Sequence, residues 1–284
     1  MIIDTNHRTT SKLTSLAAAG VTGIIRYYAR FTRQEEKRVT RAEAQAILGA
    51  GISLAIVHQA AGDSADAFSH EKGVADATYA RDYAIRTIGQ PAGSAIYFGV
   101  DYDAKEPDVS RRIVPYFQAV NAVLNAADGS STYKVGAYGD GVVLQTLLDQ
   151  NLVSFTWISQ STGFPGTRQF KASNRWTLFQ RLPSTVSGLD VDVDDLNPAM
   201  TDFGAFQRLM PIAGSEGTGV RMVVKARDGL RLRAGPGTEF DVKQVLAPGT
   251  ELSVITRTGD WASVDLNGDG MIDGFAHNAF LGTA

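Results

Sequence analysis

The spacing of apolar and polar positions changes repeatedly along roughly the first 195 residues. Short runs rich in β-branched and aromatic residues, "MIID", "TGIIRYYA", "ISLAIVHQ", "AIYFGVDYD", "YKVGAYG", "SFTWISQ", "RWTLFQR" and "GLDVDVDD", predict strands. Between most of them lie helical patterns: "SKLTSLAAAG", which stops at Gly20, and "TRAEAQAILGAG", where Thr40 and Glu43 stand at the spacing of a capping box. "AFSHEKGVADATYARDYAIRTIG", "VSRRIVPYFQAVNAVLNAA" and "VVLQTLLDQ" follow. Strands alternating with helices predict right-handed parallel crossovers, and eight units of this length fit a closed (β/α)8-type barrel better than an open sheet. Helices thin out before the last strands, so the outer ring should be reduced there. A doubly wound sheet is the competing architecture, but no glycine-rich phosphate loop follows the first strand.

The pattern changes beyond residue 212. "RMVVKA", "GLRLRAG", "KQVLAPG", "TELSVITRTG", "DWASVDLNG" and "GFAHNAFLG" are short strands bounded by Gly, Pro and Asp, as in a small all-β barrel. The expected organisation is a barrel domain over 1–212, a polar, glycine-rich linker over 213–219 and a β domain over 220–284.

Composition narrows the function classes. The chain of 284 residues is 44% hydrophobic and 20% charged, with no apolar run long enough for a membrane span. A net charge of -3 gives no electrostatic case for nucleic acid. Cysteine is absent, so no disulfide framework or thiol nucleophile is expected. The N-terminus lacks a secretory pattern, so a protein that reaches a cell wall would be secreted or released there without a visible signal peptide.

The chemistry concentrates in acids at strand ends. In "AIYFGVDYDA" the apolar Ile96, Phe98 and Val100 alternate against Asp101 and Asp103, and Asp4 ends the first strand. In "LDVDVDD", Asp190, Asp192 and Asp194 share one face and Val191 and Val193 the other; valines facing the helices would turn the aspartates into the lumen. In a parallel barrel the strand C-termini carry the site. Grouped carboxyls raise at least one pKa, and a raised-pKa acid beside an ionised partner is what glycoside hydrolysis requires. Carboxylates also hold hard cations, and a single strand-end aspartate often only caps a helix. Further rim candidates for binding a sugar are Asn6, Arg26, Tyr28, His58, Gln59, Tyr138, Trp157, Gln160 and Gln180, whose amides and aromatic faces suit hydroxyls and pyranose rings. His7, His58, His70 and His277 form no evident metal triad, and no metal or cofactor is expected.

The motifs "IDTNHR", "IIRYYAR", "AIYFGVDYD", "VGAYGDG", "TWISQ", "LFQR" and "GLDVDVDDLNP", in this order, resemble the glycoside-hydrolase-like barrels related to family 25 lysozymes, the N-acetylmuramidases. The resemblance implies that Asp4, Asp101 and Asp192, or Asp194 in place of Asp192, stand at catalytic positions. Asp103 stands where those lysozymes carry the proton-donating glutamate. Aspartate is one methylene shorter, which withdraws the acid by about 1.5 Å, a displacement that can cost on the order of a hundredfold in rate.

The second domain resembles a bacterial SH3 domain through "GLRLRAGPGTEF", "DWASVD" and "DGFAHNAFL", which implies cell-wall binding with Trp261, Phe240 and Phe275 as contact candidates. Within it, Asp265, Asn267, Asp269, Gly270 and Asp273 copy the start of a calcium loop, but Ala276 replaces the bidentate glutamate, which favours an ordinary turn.

The sequence therefore predicts a monomeric, peptidoglycan-directed hydrolase in which Asp103 donates the proton and Asp101 assists it. Asp192 and Asp4 would hold water or stabilise the developing charge. Two other readings stand beside it: a binding protein on a barrel that has lost hydrolysis, and a metal-dependent hydrolase with a cation between Asp101, Asp103 and the strand-eight aspartates.

Overall fold

The computed structural model describes residues 1–59, 62–125, 133–210, 212, 220–233, 235–238, 240–266 and 272–283. The chain divides into two compact units, Met1–Met210 and Pro211–Ala284. The linker expected at 213–219, and Asn267, Asp269 and Gly270 of the calcium-like loop, lie outside the described residues.

In the first unit eight strands close into a barrel in sequence order: β1 Ile2–Asp4, β2 Gly23–Tyr28, β3 Ser53–His58, β4 Ala95–Gly99, β5 Lys134–Gly139, β6 Phe155–Ile158, β7 Leu178–Val186 and β8 Leu189–Leu196. The helices are α1 Leu13–Ala18, α2 Arg41–Gly49, α3 His70–Tyr83, α4 Glu106–Asp108, α5 Val114–Leu124, α6 Gly141–Asp149 and α7 Thr167–Ala172. Local signals set their starts. Thr40 caps α2 by accepting from Glu43 N, Ser69 caps α3 through Lys72 N, and Asp140 caps α6 through Val143 N.

Strands β1 to β7 pair in parallel, as the alternation predicts, but β8 runs antiparallel to both β7 and β1. The cause is the link Ser187-Gly188, with φ of 54° and 71°, a two-residue turn that closes a hairpin and cannot make a crossover. The helix ring is accordingly empty between β7 and β8.

Two apolar layers hold the barrel. Ile24, Leu54, Ile56, Ile96, Phe98 and Val191 pack outward with the helices, while Ile25, Ala55, Val57, Tyr97, Phe155, Trp157 and Leu178 fill the lumen. Both faces are apolar in β2 and β3.

The second unit is an antiparallel sheet of β9 Val220–Val224, β10 Leu230–Arg233, β11 Val242–Leu246, β12 Glu251–Thr258, β13 Trp261–Asp265, β14 Gly274–His277 and β15 Leu281–Thr283, in the order β11-β10-β14-β13-β12-β9-β15. Its core contains Met222, Val224, Leu230, Leu232, Leu246, Leu252, Val254 and Val264.

Candidate active site

The end of β1 meets the middle of β8 because of the antiparallel register, which sets Asp4 beside Asp192 and Ile2 beside Asp194. Reversal of β8 therefore orders its acids from the rim inward. Asp190 is exposed, Asp192 half-buried and Asp194 buried. A cavity of about 530 Å³ opens here, lined by Asp4, Asn6, Tyr27, Lys37, Gln59, Asp190 and Asp192 together with Thr5 and the β7 residues Pro183, Ser184 and Thr185. A smaller lobe of about 160 Å³ shares Tyr27, Gln59 and Asp192 with it and adds Asp101, Tyr138, Trp157, Gln160 and Gln180.

One amide ties the acids together. Gln180 Nε2 donates to Asp4 Oδ2 at 2.9 Å and to Asp192 Oδ2 at 3.2 Å, and Gln180 Oε1 accepts from the Tyr138 hydroxyl at 2.8 Å. The Tyr27 hydroxyl donates to Asp4 Oδ1 at 3.1 Å. Below them Trp157 Nε1 donates to Asp194 Oδ1 at 2.7 Å, while Asp194 Oδ2 is buried and accepts nothing among the described residues. Across the cleft Lys37 Nζ donates to Gln59 Oε1 at 3.0 Å and Gln59 Nε2 to Asp101 Oδ2 at 3.2 Å; Lys37 also lies 4.7 Å from the centre of the Tyr27 ring.

This environment disfavours charge. Burial pushes the Asp4 carboxyl from 3.8 to about 7; the neighbouring Asp192 and Asp101 add to the rise, and the Gln180 and Tyr27 hydrogen bonds oppose it. Burial also raises Asp192. Asp194 is driven well above the carboxylate range by burial and then by Asp4, which fits a neutral carboxyl whose second oxygen has no partner. Desolvation lowers the Lys37 ammonium, with Asp101 opposing. Two polar groups face each other across the cavity: the Asp4–Asp192 pair on β1 and β8, both raised by burial, and the Lys37–Gln59–Asp101 chain.

Several expected residues lie elsewhere. Asp103 lines neither lobe; it is exposed and pairs with Lys105 at 2.5 Å, because β4 ends at Gly99 and strand alternation does not extend to it. Arg26 faces outward and is fully buried, with Nε 3.1 Å from Glu43 Oε1 and Nη2 donating to Glu36 O at 2.5 Å. Tyr28 also faces the helix layer, where its hydroxyl donates to Gln90 Oε1 at 2.9 Å. Its neighbour Tyr27, which the sequence reading passed over, occupies the lumen. His58 is buried against α3, 3.5 Å from Asp76 Oδ1, and the same carboxyl also takes Arg30 at 3.0 Å and the Tyr116 hydroxyl at 3.0 Å. Arg26, Tyr28 and His58 share one cause: in β2 and β3 the even positions point outward.

Asn6, Gln59, Tyr138, Trp157, Gln160, Gln180, Asp190 and Asp192 line the cavity or its lobe with Asp4 and Asp101. Lys37 was missed because it sits in the charged run "RQEEKR", which reads as a solvated face. Among the described residues no group of three or more acidic or histidine side chains converges to hold a metal ion, so Asp101, Asp103 and the β8 aspartates do not form the ligand set that the metal-dependent reading requires.

Comparison with known proteins gives two proteins of Bacillus subtilis (strain 168), both described as uncharacterized: YbfG, 28% identical over 80% of this chain and 32% of its own length, and FadG, 30% identical over 66% and 35%. The chain thus spans about a third of the length of these relatives. Among solved structures, the Tat-secreted protein Rv2525c of Mycobacterium tuberculosis, crystallised with HEPES, shares the fold with a TM-score of 0.60 at 22% identity, over 72% of this chain and 97% of that one. Residues 228–282 match the bacterial SH3 domain. Residues 14–200 match the Rv2525c-like, glycoside hydrolase-like domain, and with most of its barrel so matched the chain belongs to that family.

Proposed function

We propose that the barrel hydrolyses a glycan of the bacterial cell wall with Asp4 and Asp192 as its reacting carboxyls, and that the SH3-like unit holds the enzyme on that wall. The observation that carries this reading is Asp4. It is buried at a cavity of sugar size, its pKa is shifted to about 7, and it shares the Gln180 amide with a more exposed carboxyl.

A general acid works best with a pKa near the operating pH. In its neutral form Asp4 gives its proton to the glycosidic oxygen as the bond to the anomeric carbon breaks and its electron pair leaves with that oxygen. The Asp192 carboxylate faces the positive charge that develops on the sugar. Water then adds to the anomeric carbon and its proton returns to the carboxyl pair. Gln180, braced by Tyr138, fixes the spacing of the two acids, and the Tyr27 hydroxyl holds the other oxygen of Asp4. Asp101 binds from the opposite wall. Action outside the cell is part of the proposal, supported by the Tat-secreted protein that shares the fold.

Reducing ends released from purified cell wall test it. Wild type should release them, and Asp4→Asn or Asp192→Asn should lower the rate by about a hundredfold or more. No release by wild type, or full release by both variants, overturns the proposal.

A second reading has its own support. Asp103 stands at the resembled proton donor's position yet lies outside the cavity, which favours a barrel that binds glycan without cutting it. Binding of cell-wall fragments with no turnover, abolished by substitutions at Tyr27 and Gln59, would establish that alternative.

A further inference from the structure

Asp140 is buried where β5 passes into α6 and lines neither lobe of the cavity. We propose that Asp140 is a positioning residue that works as a protonation-sensitive latch: ionised, it holds segment 101–104, and with it Asp101, at the cavity wall, and protonated, it lets them move. This deepens the hydrolytic reading given above and rests on it for the effect on turnover.

The paired strand ends create the latch. β4 and β5 stay in register up to Gly99 and Tyr138, and Val100 N donates to Tyr138 O at 2.8 Å, so the chain leaving β4 runs beside the start of α6. Asp140 gives one carboxylate oxygen to each element. Oδ1 accepts from Val143 N at 2.9 Å and caps α6, while Oδ2 accepts from Ala104 N at 3.2 Å. A cap needs one oxygen, which serine, threonine or asparagine also supplies; the second acceptor is what a carboxylate adds. The α6 side is fixed, because a Cβ on Gly141 would come within 2.2 Å of the Gly166 backbone, and Gly141 N donates to Thr167 Oγ1 at 3.1 Å. The other side carries Asp101, whose N donates to Gly62 O at 2.7 Å and whose Oδ2 accepts from Gln59 Nε2 at 3.2 Å.

Protonation breaks one bond and spares the other. It turns one acceptor oxygen into a donor, and the proton settles on Oδ2, which has the longer bond. Ala104 N then faces an O–H but keeps Tyr102 O, to which it also donates at 2.8 Å, so the segment moves without leaving a buried N–H unpaired. Burial pushes the Asp140 carboxyl up to about 6 against the backbone N–H groups of Val143, Ala104 and Val142, and Asp103 adds to the rise. Asp103, paired with Lys105 at 2.5 Å, and the Tyr102 phenol face Asp140 from the β4 side. Arg112, from the helical turn Val109–Ile113 that packs on α6, is taken by Asp66 at 3.1 Å. The starts of α6 and α7 bring Val142, Val143 and Thr167, which carry no charge.

The test is an NMR pH titration of the full chain, read at the Ala104 backbone amide and the Gln59 side-chain amide, beside the pH profile of reducing-end release from purified cell wall. In wild type both resonances should shift with one midpoint near 6, shared with the Asp140 carboxyl, and release should fall about tenfold per pH unit below about pH 5. Asp140→Asn keeps the cap and sets an NH₂ against Ala104 N, so the latch is open at every pH. Its two resonances should stay at their acid positions from pH 5 to pH 8, and release at pH 6.5 should be at least about tenfold lower, with no step near 6. Asp140→Ser, which also keeps the cap, should behave alike, and an unchanged amide spectrum elsewhere verifies the fold of each variant. Resonances that ignore the Asp140 midpoint in wild type, or that still titrate near 6 in both variants, would overturn the latch, as would full release by both with the wild-type pH profile. If wild type releases no reducing ends while the resonances behave as described, the hydrolytic reading falls and the latch stands. Release without any trace of Asp140 in the two resonances upholds hydrolysis and removes the latch.

Discussion

Replacing Asp4 by asparagine should make the barrel's stability less dependent on pH in a direction fixed by the structure. Asp4 is 2% exposed and its carboxyl is raised from 3.8 to about 7. Between those values the native state keeps a proton that the unfolded chain has released, so the stability contributed by the neutral carboxyl is complete below about 3.8 and is lost as pH rises to about 7. A rise of about three units corresponds to roughly 4 kcal/mol across that window. Asparagine is neutral throughout, so this loss disappears. It also relieves Asp194, which Asp4 helps to raise, and that works in the same direction. The side chain's second oxygen becomes an NH₂, which disturbs the hydrogen bond from Gln180 or from Tyr27 by about 1–3 kcal/mol at every pH. The variant should therefore be the less stable protein near pH 4 and gain on wild type by roughly 4 kcal/mol by pH 8. Urea unfolding at several pH values, in a Trp261→Phe background so that Trp157 and Trp176 of the barrel give the signal, measures the difference. A gap between the proteins that stays constant from pH 4 to pH 8 would refute the placement of a buried, near-neutral acid on β1.

Gln180→Ala removes a donor from both carboxyls proposed to react, so the alkaline limb of the proposed hydrolysis should move to higher pH and kcat/KM should fall by about tenfold to a hundredfold; an unmoved limb contradicts the bridging role. Trp157→Phe deprives Asp194 of its hydrogen bond and should destabilise the barrel by about 1–3 kcal/mol in urea, and undiminished stability would count against that contact. Arg26→Met leaves Glu43 buried without its partner and should cost about 3–5 kcal/mol of stability, with ligand affinity per folded molecule unchanged; lost affinity at full stability would return Arg26 to the sugar site. Asp103→Asn should leave turnover within about threefold and stability within about 0.5 kcal/mol, because an exposed pair with Lys105 contributes little; a collapse of turnover would restore Asp103 as proton donor.

The barrel was legible because strand and helix periods alternate over long stretches, and the acids of β8 were legible because valine and aspartate alternate without interruption. Two things were not. In β2 and β3 both faces are buried and apolar, so the pattern carries no parity, and "RYY" offers no sign that the middle residue turns inward. Arg26 and His58 then looked like rim groups, when Arg26 is paired with Glu43 of one helix and His58 is buried 3.5 Å from Asp76 of another. Glu43 was already accounted for as part of a capping box, which hid its second task. The direction of β8 rested on Ser187-Gly188, a turn signal overshadowed by the expectation of one more crossover. Asp103 shows the complementary error, alternation carried four residues past the strand's last paired position.

The most direct test is a carbon-13 titration of the aspartate carboxyls set beside the pH profile of cell-wall hydrolysis. The account predicts one carboxyl with a midpoint near 7 that vanishes in Asp4→Asn, and an alkaline limb of activity at the same pH. A titration in which Asp4 loses its proton below pH 5, or a profile indifferent to the resonance near 7, would contradict it.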